Sequence, residues 1–127
     1  MKLYVQPSLG PAVAWRIESI RQPPTKTLDA WSVYEVPFDG LDAPWTRHLM
    51  GFRVEGCKGQ VSSPVQVFDP ISRRAVTRSG QVYELRVGPG FNADAFVVWS
   101  AWVFTNRIQH AHDVTPEVEA LIRRYEQ

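Results

Sequence analysis

Alternating apolar and polar side chains mark the first half of the chain. "KLYVQP" (2–7) and "AVAWRIESI" (12–20) both predict strands; in the second, Val13, Trp15 and Ile17 share one face, with Ala14, Arg16 and Glu18 on the other. "RQPPTKTLDA" (21–30) breaks the pattern, since neither Pro23 nor Pro24 can donate a ladder hydrogen bond, and predicts an exposed loop. "WSVYEVPF" (31–38) returns to strand chemistry and "DGLDAPW" (39–45) is a further loop. A strand from Arg47 to Val54 then runs into the glycine-punctuated turn "EGCKGQ" (55–60).

The clearest stretch follows. "SPVQVFD", "RRAVTR" and "QVYELRV" predict a three-stranded antiparallel meander, with Asp69-Pro70 opening the first turn and Ser79-Gly80 forming the second. A two-residue Ser79-Gly80 loop would set Arg78 opposite Gln81, Val76 opposite Tyr83 and Arg74 opposite Leu85 on one face. Arg73 and Arg86 would then share the other face with Thr77, Val82 and Glu84.

After "GPGF" the period changes. "NADAFVVWSAWVFTN" (92–106) predicts a helix with Asn92 or Asp94 at its start and Ala95, Val98, Trp99, Trp102 and Val103 on one stripe; a buried strand is the competing reading. "TPEVEALIRRYEQ" (115–127) predicts a second helix, with Thr115 as cap, Pro116 at the first helical position, acids leading and arginines closing. Its apolar face is Val118, Leu121, Ile122 and Tyr125. The order predicts a single α+β domain over residues 1–127: an antiparallel sheet of five to seven strands, rich in meander, followed by one or two C-terminal helices.

Composition supports a packed domain. The 127 residues are 44% hydrophobic and 21% charged, with five Trp, six Phe and four Tyr, which argues against disorder. A net charge of +1 gives no global pull toward polyanions. The lone Cys57 leaves neither a disulfide nor a cysteine zinc cage, and points to a reducing cytoplasm. No apolar run approaches the ~18 residues of a membrane span, so no membrane partner is expected.

Motifs for chemistry are few. In "QHAHD", His110, His112 and Asp113 are metal-competent, yet histidines two apart share a face only in an extended segment, which would turn Asp113 away. A metal-dependent enzyme at this cluster is one reading, and a polar connector between helices the other. Ser62, Ser63, Ser79, Cys57, His48 and Asp94 supply the residue types of a hydrolytic triad without a G-x-S-x-G elbow. "GPGFNAD" lacks the ending of a nucleotide loop. No cofactor is expected, and no catalytic residue is assigned.

Arginines and aromatics remain. Eleven of the fourteen basic residues are Arg, the side chain suited to forked contacts. Trp45, flanked by "DAP" and "TRH", is the tryptophan expected to be partly exposed. With Arg47, Arg74, Arg78 and Tyr83 it forms the candidate partner-binding set. A nucleic-acid-binding domain using the hairpin arginines is the alternative, weakened because the expected pairing divides the charge between two faces.

Arg47-His48-Leu49, Val61-Ser62-Ser63, Phe68-Asp69-Pro70, Thr77 to Tyr83, Gly88-Pro89-Gly90 and Val98-Trp99 resemble a family of small uncharacterised proteins of proteobacterial plasmids, integrative elements and prophages. The resemblance covers about residues 45 to 104 and departs where Asn92 stands in place of an Asp. It implies a mobile-element context and no specific chemistry. Accessory proteins from such elements bind a host or defence component by surface complementarity. The expected function is therefore a non-enzymatic cytoplasmic interaction module with a protein partner, an inhibitor or regulator of such a complex.

Overall fold

A computed structural model describes residues 15–86 and 88–126 of the chain. Among them, eight strands and two helices run in the order β1 (Arg16–Ile17), β2 (Lys26–Val36), β3 (Thr46–Arg53), β4 (Lys58–Val61), β5 (Val65–Asp69), β6 (Arg74–Thr77), β7 (Val82–Leu85), α1 (Ala93–Thr105), β8 (His112–Asp113) and α2 (Thr115–Arg124). The class is α+β, with both helices near the C-terminal end. The strand expected over 2–7, the first part of that over 12–20, and Val87 at the end of the meander lie outside the described residues.

The sheet order is β1-β5-β6-β7-β2-β3-β4, and β8 pairs the far half of β2. The sheet is mixed, which corrects the antiparallel expectation: β2 runs parallel to β7, and β1 parallel to β5. Two antiparallel meanders, β2-β3-β4 and β5-β6-β7, are joined through the last strand of one and the first of the other. Alternation along a strand fixes its buried face but leaves its partner unspecified. β3 also packs against β5, from which β6, β7 and β2 separate it, so the sheet curls on itself.

Adjacent residues therefore feed opposite cores. Val33 and Leu49 join Leu28, Trp31, Phe68 and Tyr83 in the larger core, which Val118 and Ile122 of α2 close. Met50 and Tyr34 point the other way, into a smaller core with Ala95, Trp99 and Trp102 of α1.

Several local expectations change. β2 begins at Lys26, inside the segment read as a loop, because Leu28 is fully buried and Lys26–Leu28 pair with β7. The register with β3 jumps from Asp29↔Phe52 to Ser32↔Met50, leaving Ala30, at φ 46°, and Trp31 opposite Gly51. This is a bulge. It needs Gly51, where a Cβ would stand 2.9 Å from the Asp29 carbonyl oxygen. β4 forms within the stretch read only as a turn.

The β6–β7 hairpin is one residue out of the expected register. Ala75 faces Tyr83 and Val76 faces Val82. Thr77 N–H donates to the Gln81 carbonyl, and Gly80 sits at φ 89°. The loop is therefore Arg78-Ser79-Gly80, a three-residue connection that uses glycine in the left-handed region. Asp69 behaves as expected of a turn opener: Oδ1 accepts from Ile71 N–H at 3.0 Å. Oδ2 also accepts from Ile20 N–H at 2.9 Å, tying residue 20 to the turn.

α2 starts one residue earlier than expected: Val114 occupies the cap position, Thr115 is the first helical residue and Pro116 the second. Thr115 Oγ1 instead accepts from Val33 N–H at 2.9 Å, and Asp113 Oδ1 accepts from Thr115 N–H at 2.9 Å. Tyr125 stays 45% exposed, outside the apolar face.

Candidate interaction surface

α1 is built as the sequence predicts. Asn92 is extended and its Oδ1 accepts from Ala95 N–H at 2.9 Å, while Asp94 lies in the first turn where the helix dipole favours an acid. Ala95 and Trp99 are buried. Below them a chain of rings runs from Tyr34 to Trp99 (centroids 4.8 Å apart), Trp99 to Trp102 (5.3 Å) and Trp102 to Phe38 (5.6 Å).

His48 is fully buried beside Trp102, with ring centroids 4.7 Å apart. Its Nδ1–H donates to the Ser62 carbonyl at 2.9 Å, and its Nε2 accepts from the Thr46 hydroxyl at 2.6 Å. Burial pushes the His48 pKa down to about 4, against the opposing pull of the Ser62 carbonyl. His48 is a neutral strut under α1, with both ring nitrogens committed.

The outer side of the same helix is apolar too. Phe96 is 49% exposed, Val97 66%, Val98 37% and Phe104 85%, and Phe91, just before the helix, is 74% exposed. Val98, expected on the buried stripe, thus lies at its edge. The Phe91 and Phe96 rings lie against each other, tilted by 45° with centroids 5.9 Å apart. Across Ala93–Thr105, Asp94 is the only charged side chain. Taking ~150–250 Å² for a whole aromatic side chain, the exposed apolar area is on the order of 500 Å². That is the upper part of the ~300–600 Å² found for the largest patch on a monomer, a size associated with interaction sites.

Of the five residues expected to contact a partner, Trp45, Arg47, Arg74 and Arg78 keep some exposure, and each of the three arginines is engaged with a carboxylate. Trp45 is half-buried, its ring 6.3 Å from that of His110. Arg47 is held on the larger-core side: Nε pairs with Glu35 at 3.1 Å, Nη2 pairs with Glu117 at 2.8 Å, and the guanidinium lies 4.8 Å from the Trp15 ring. Arg74 pairs with Glu84 at 3.4 Å and donates to the Gln22 carbonyl at 3.0 Å. Arg78 makes a forked pair with Asp39, at 3.1 and 2.8 Å. The guanidinium lowers the Asp39 pKa chiefly by that hydrogen bond.

Tyr83 is a correction. Placed in the partner-binding set, it is 2% exposed: it shares the buried face of β7 with Leu85, and the shifted register sets Ala75, not an arginine-flanked Val76, opposite it. Its hydroxyl accepts from Gln60 Nε2 at 3.0 Å, and burial raises its pKa.

His110, His112 and Asp113 also separate. His112 and Asp113 form β8 against Glu35 and Tyr34, Asp113 holds the start of α2, and His110 faces Trp45. Among the described residues no three His, Cys, Asp or Glu side chains gather as metal ligands.

No family model, curated protein or solved structure matches the chain. Phe91, Phe96, Val97 and Phe104 were absent from the expected contact set, although the signal was present. A helical segment with one charge in thirteen residues is apolar all round, and such a helix is normally enclosed.

Proposed function

We propose that this protein is a non-enzymatic interaction module that docks α1, with Phe91, into an apolar groove on a partner protein. The observation that carries the reading is the exposed apolar arc of α1. Phe96, Val97 and Val98 are consecutive, and at about 100° per residue they sweep roughly 200° of the helix circumference. A flat surface, or a second copy of the same helix, would cover a stripe of only about 100°. A groove covers the arc, as in the helix-in-groove mode of recognition.

Area points the same way. A patch on the order of 500 Å² falls short of the ~800 Å² per partner of a stable face-to-face interface. Enclosing the flanks of the helix makes up the difference. A lipid surface suits α1 less well, because interfacial helices carry Lys or Arg on their polar face and α1 carries neither. Among the described residues no helix is long and apolar enough to cross a membrane.

The arginine-rich hairpin supports a structural role more than a phosphate-tracking one. Arg74 and Arg78 are each paired with a carboxylate, so a nucleic acid would have to displace Glu84 and Asp39. The mobile-element context implied by the resemblance directs the search for the partner to host or defence complexes.

The test is differential capture. The wild-type chain and an Ile71→Lys control, changed at an exposed apolar residue on the β5–β6 turn, should retain the same stoichiometric protein; Val97→Lys with Phe104→Lys should lose it. Equal retention by all three removes the role of α1.

A further inference from the structure

Arg107 stands two residues beyond the end of α1, at φ 54°, in the left-handed region that favours glycine. Its N–H donates to the Phe104 carbonyl at 3.1 Å, and that of Ile108 to the Val103 carbonyl at 2.9 Å. This closure of the helix uses backbone alone, and glycine would make it with less strain. The Arg107 side chain is exposed and, among the described residues, its guanidinium forms no ion pair or hydrogen bond. Arg47, Arg74, Arg78 and Arg86, by contrast, are each matched to a carboxylate.

Arg107 also borders a cleft of about 220 Å³ between the end of α1 and the loop after β2, lined by Phe38, Leu41, Gln109 and His110 and by no described acid. Asp39, next to Phe38 in sequence, is committed to Arg78 by its forked pair. We propose, on the basis that α1 docks into a partner protein, that this cleft receives an acidic side chain of that same partner, whose carboxylate accepts from the Arg107 guanidinium.

The place and the chemistry agree. Phe104 lies three residues before Arg107, so a groove that encloses the exposed arc of α1 runs on to the cleft. Phe38 and Leu41, the latter 64% exposed, offer an apolar wall to the methylenes of the incoming side chain, and the guanidinium offers a fork to its carboxylate. At about 30 Å³ per water in the liquid, the cleft holds roughly seven waters, enough for one such side chain. Asp94 marks the opposite end of the helix with the opposite charge. The two charges together fix the direction in which α1 lies in the groove, because the reversed orientation would set like charges against each other.

A cation near a helix C-terminus also suits the helix dipole, which is a purely structural role. Arg107→Gly separates the two. It relieves the backbone, so the unfolding temperature should hold or rise, while retention of the protein captured by the wild-type chain from a native-host lysate should fall about ten-fold, as when a hydrogen bond to a charged group is lost. Arg107→Lys keeps the charge and adds a reactive amine. In the captured complex, a water-soluble carbodiimide should join that amine to an Asp or Glu of the partner as an amide, the carbodiimide taking up the water; the wild-type guanidinium does not couple. A lowered unfolding temperature for Arg107→Gly, undiminished capture by it, or no coupled acid with Arg107→Lys would overturn the assignment. If Val97→Lys with Phe104→Lys loses the captured protein while Arg107→Gly retains it, the cleft fails alone; if all variants retain it equally, the docking of α1 fails as well.

Discussion

Gly59 of β4 lies so close to the first turn of α1 that a Cβ there would stand 2.4 Å from the carbonyl oxygen of Asp94. The obstacle is helix backbone, which cannot swing aside as a long side chain can. This contact seats the N-terminal end of α1 on the edge strand and sets the direction in which Phe96 and Val97 face. Gly59→Ala is expected to lower stability by about 1–3 kcal/mol, as overpacking does, and to weaken partner capture by shifting the helix. Urea unfolding together with the capture assay measures both effects.

The outer face of α1 should behave differently. Val97→Lys with Phe104→Lys replaces side chains that are 66% and 85% exposed. Surface changes of this kind usually alter stability by no more than about 0.5 kcal/mol each. The unfolding midpoint should therefore barely move while the solubility of the isolated chain rises. A large loss of stability would mean that these side chains are packed.

His48 sets a pH dependence. Its folded-state pKa is depressed from 6.5 to about 4, so between those values the unfolded chain binds a proton that the folded chain refuses. Stability is therefore complete above about pH 7, falls as pH drops through 6.5, and levels off for this group near pH 4, with a total loss of about 3 kcal/mol. His48→Asn should flatten that part of the profile, at the expense of a lower plateau, because Thr46 and Ser62 lose a partner. Thermal unfolding between pH 4 and 8 gives both curves.

Arg47 and Glu35 test the other side of the sheet. Both side chains are 12% exposed, so removing one leaves a largely buried charge. Arg47→Met is expected to destabilise by about 3 kcal/mol, and Arg47→Met with Glu35→Met by less than the sum of the single changes. A double-mutant cycle by chemical denaturation reads the coupling; simple additivity would contradict a direct role for the pair.

Much of the architecture was legible because it rests on local chemistry. Asn92 capping α1, Pro116 opening α2 and Asp69 fixing its turn each act over a few residues, and the three meander strands were visible from alternation. What was not legible depends on distant contacts. The parallel alignment of β2 with β7 is written in no single segment, and the bulge at Ala30 requires Gly51 from the next strand. The hairpin register turned on one residue, since Ser-Gly suits a two-residue loop while Arg78-Ser79-Gly80 closes a three-residue one equally well. That single step put Ala75 and Thr77, in place of Arg74, Val76 and Arg78, on the face of Tyr83 and Leu85, which is the buried one.

The candidate site followed the same division. Arginine was expected to mark the contact surface, but the positions of Glu35, Glu84 and Asp39, which neutralise Arg47, Arg74 and Arg78, come from other strands and loops. The apolar character of α1 was plain in "ADAFVVWSAWVFT". Which half of it stays uncovered depended on how the helix meets β3 and β4.

The most direct measurement places a photo-crosslinking amino acid at position 97 or 104 of α1, or at Ile71 as the control, in the full-length chain expressed in its native host. One discrete adduct with another protein is expected from positions 97 and 104, and none from position 71. No adduct from α1, an adduct of the chain with a second copy of itself, or equal labelling from position 71 would contradict it.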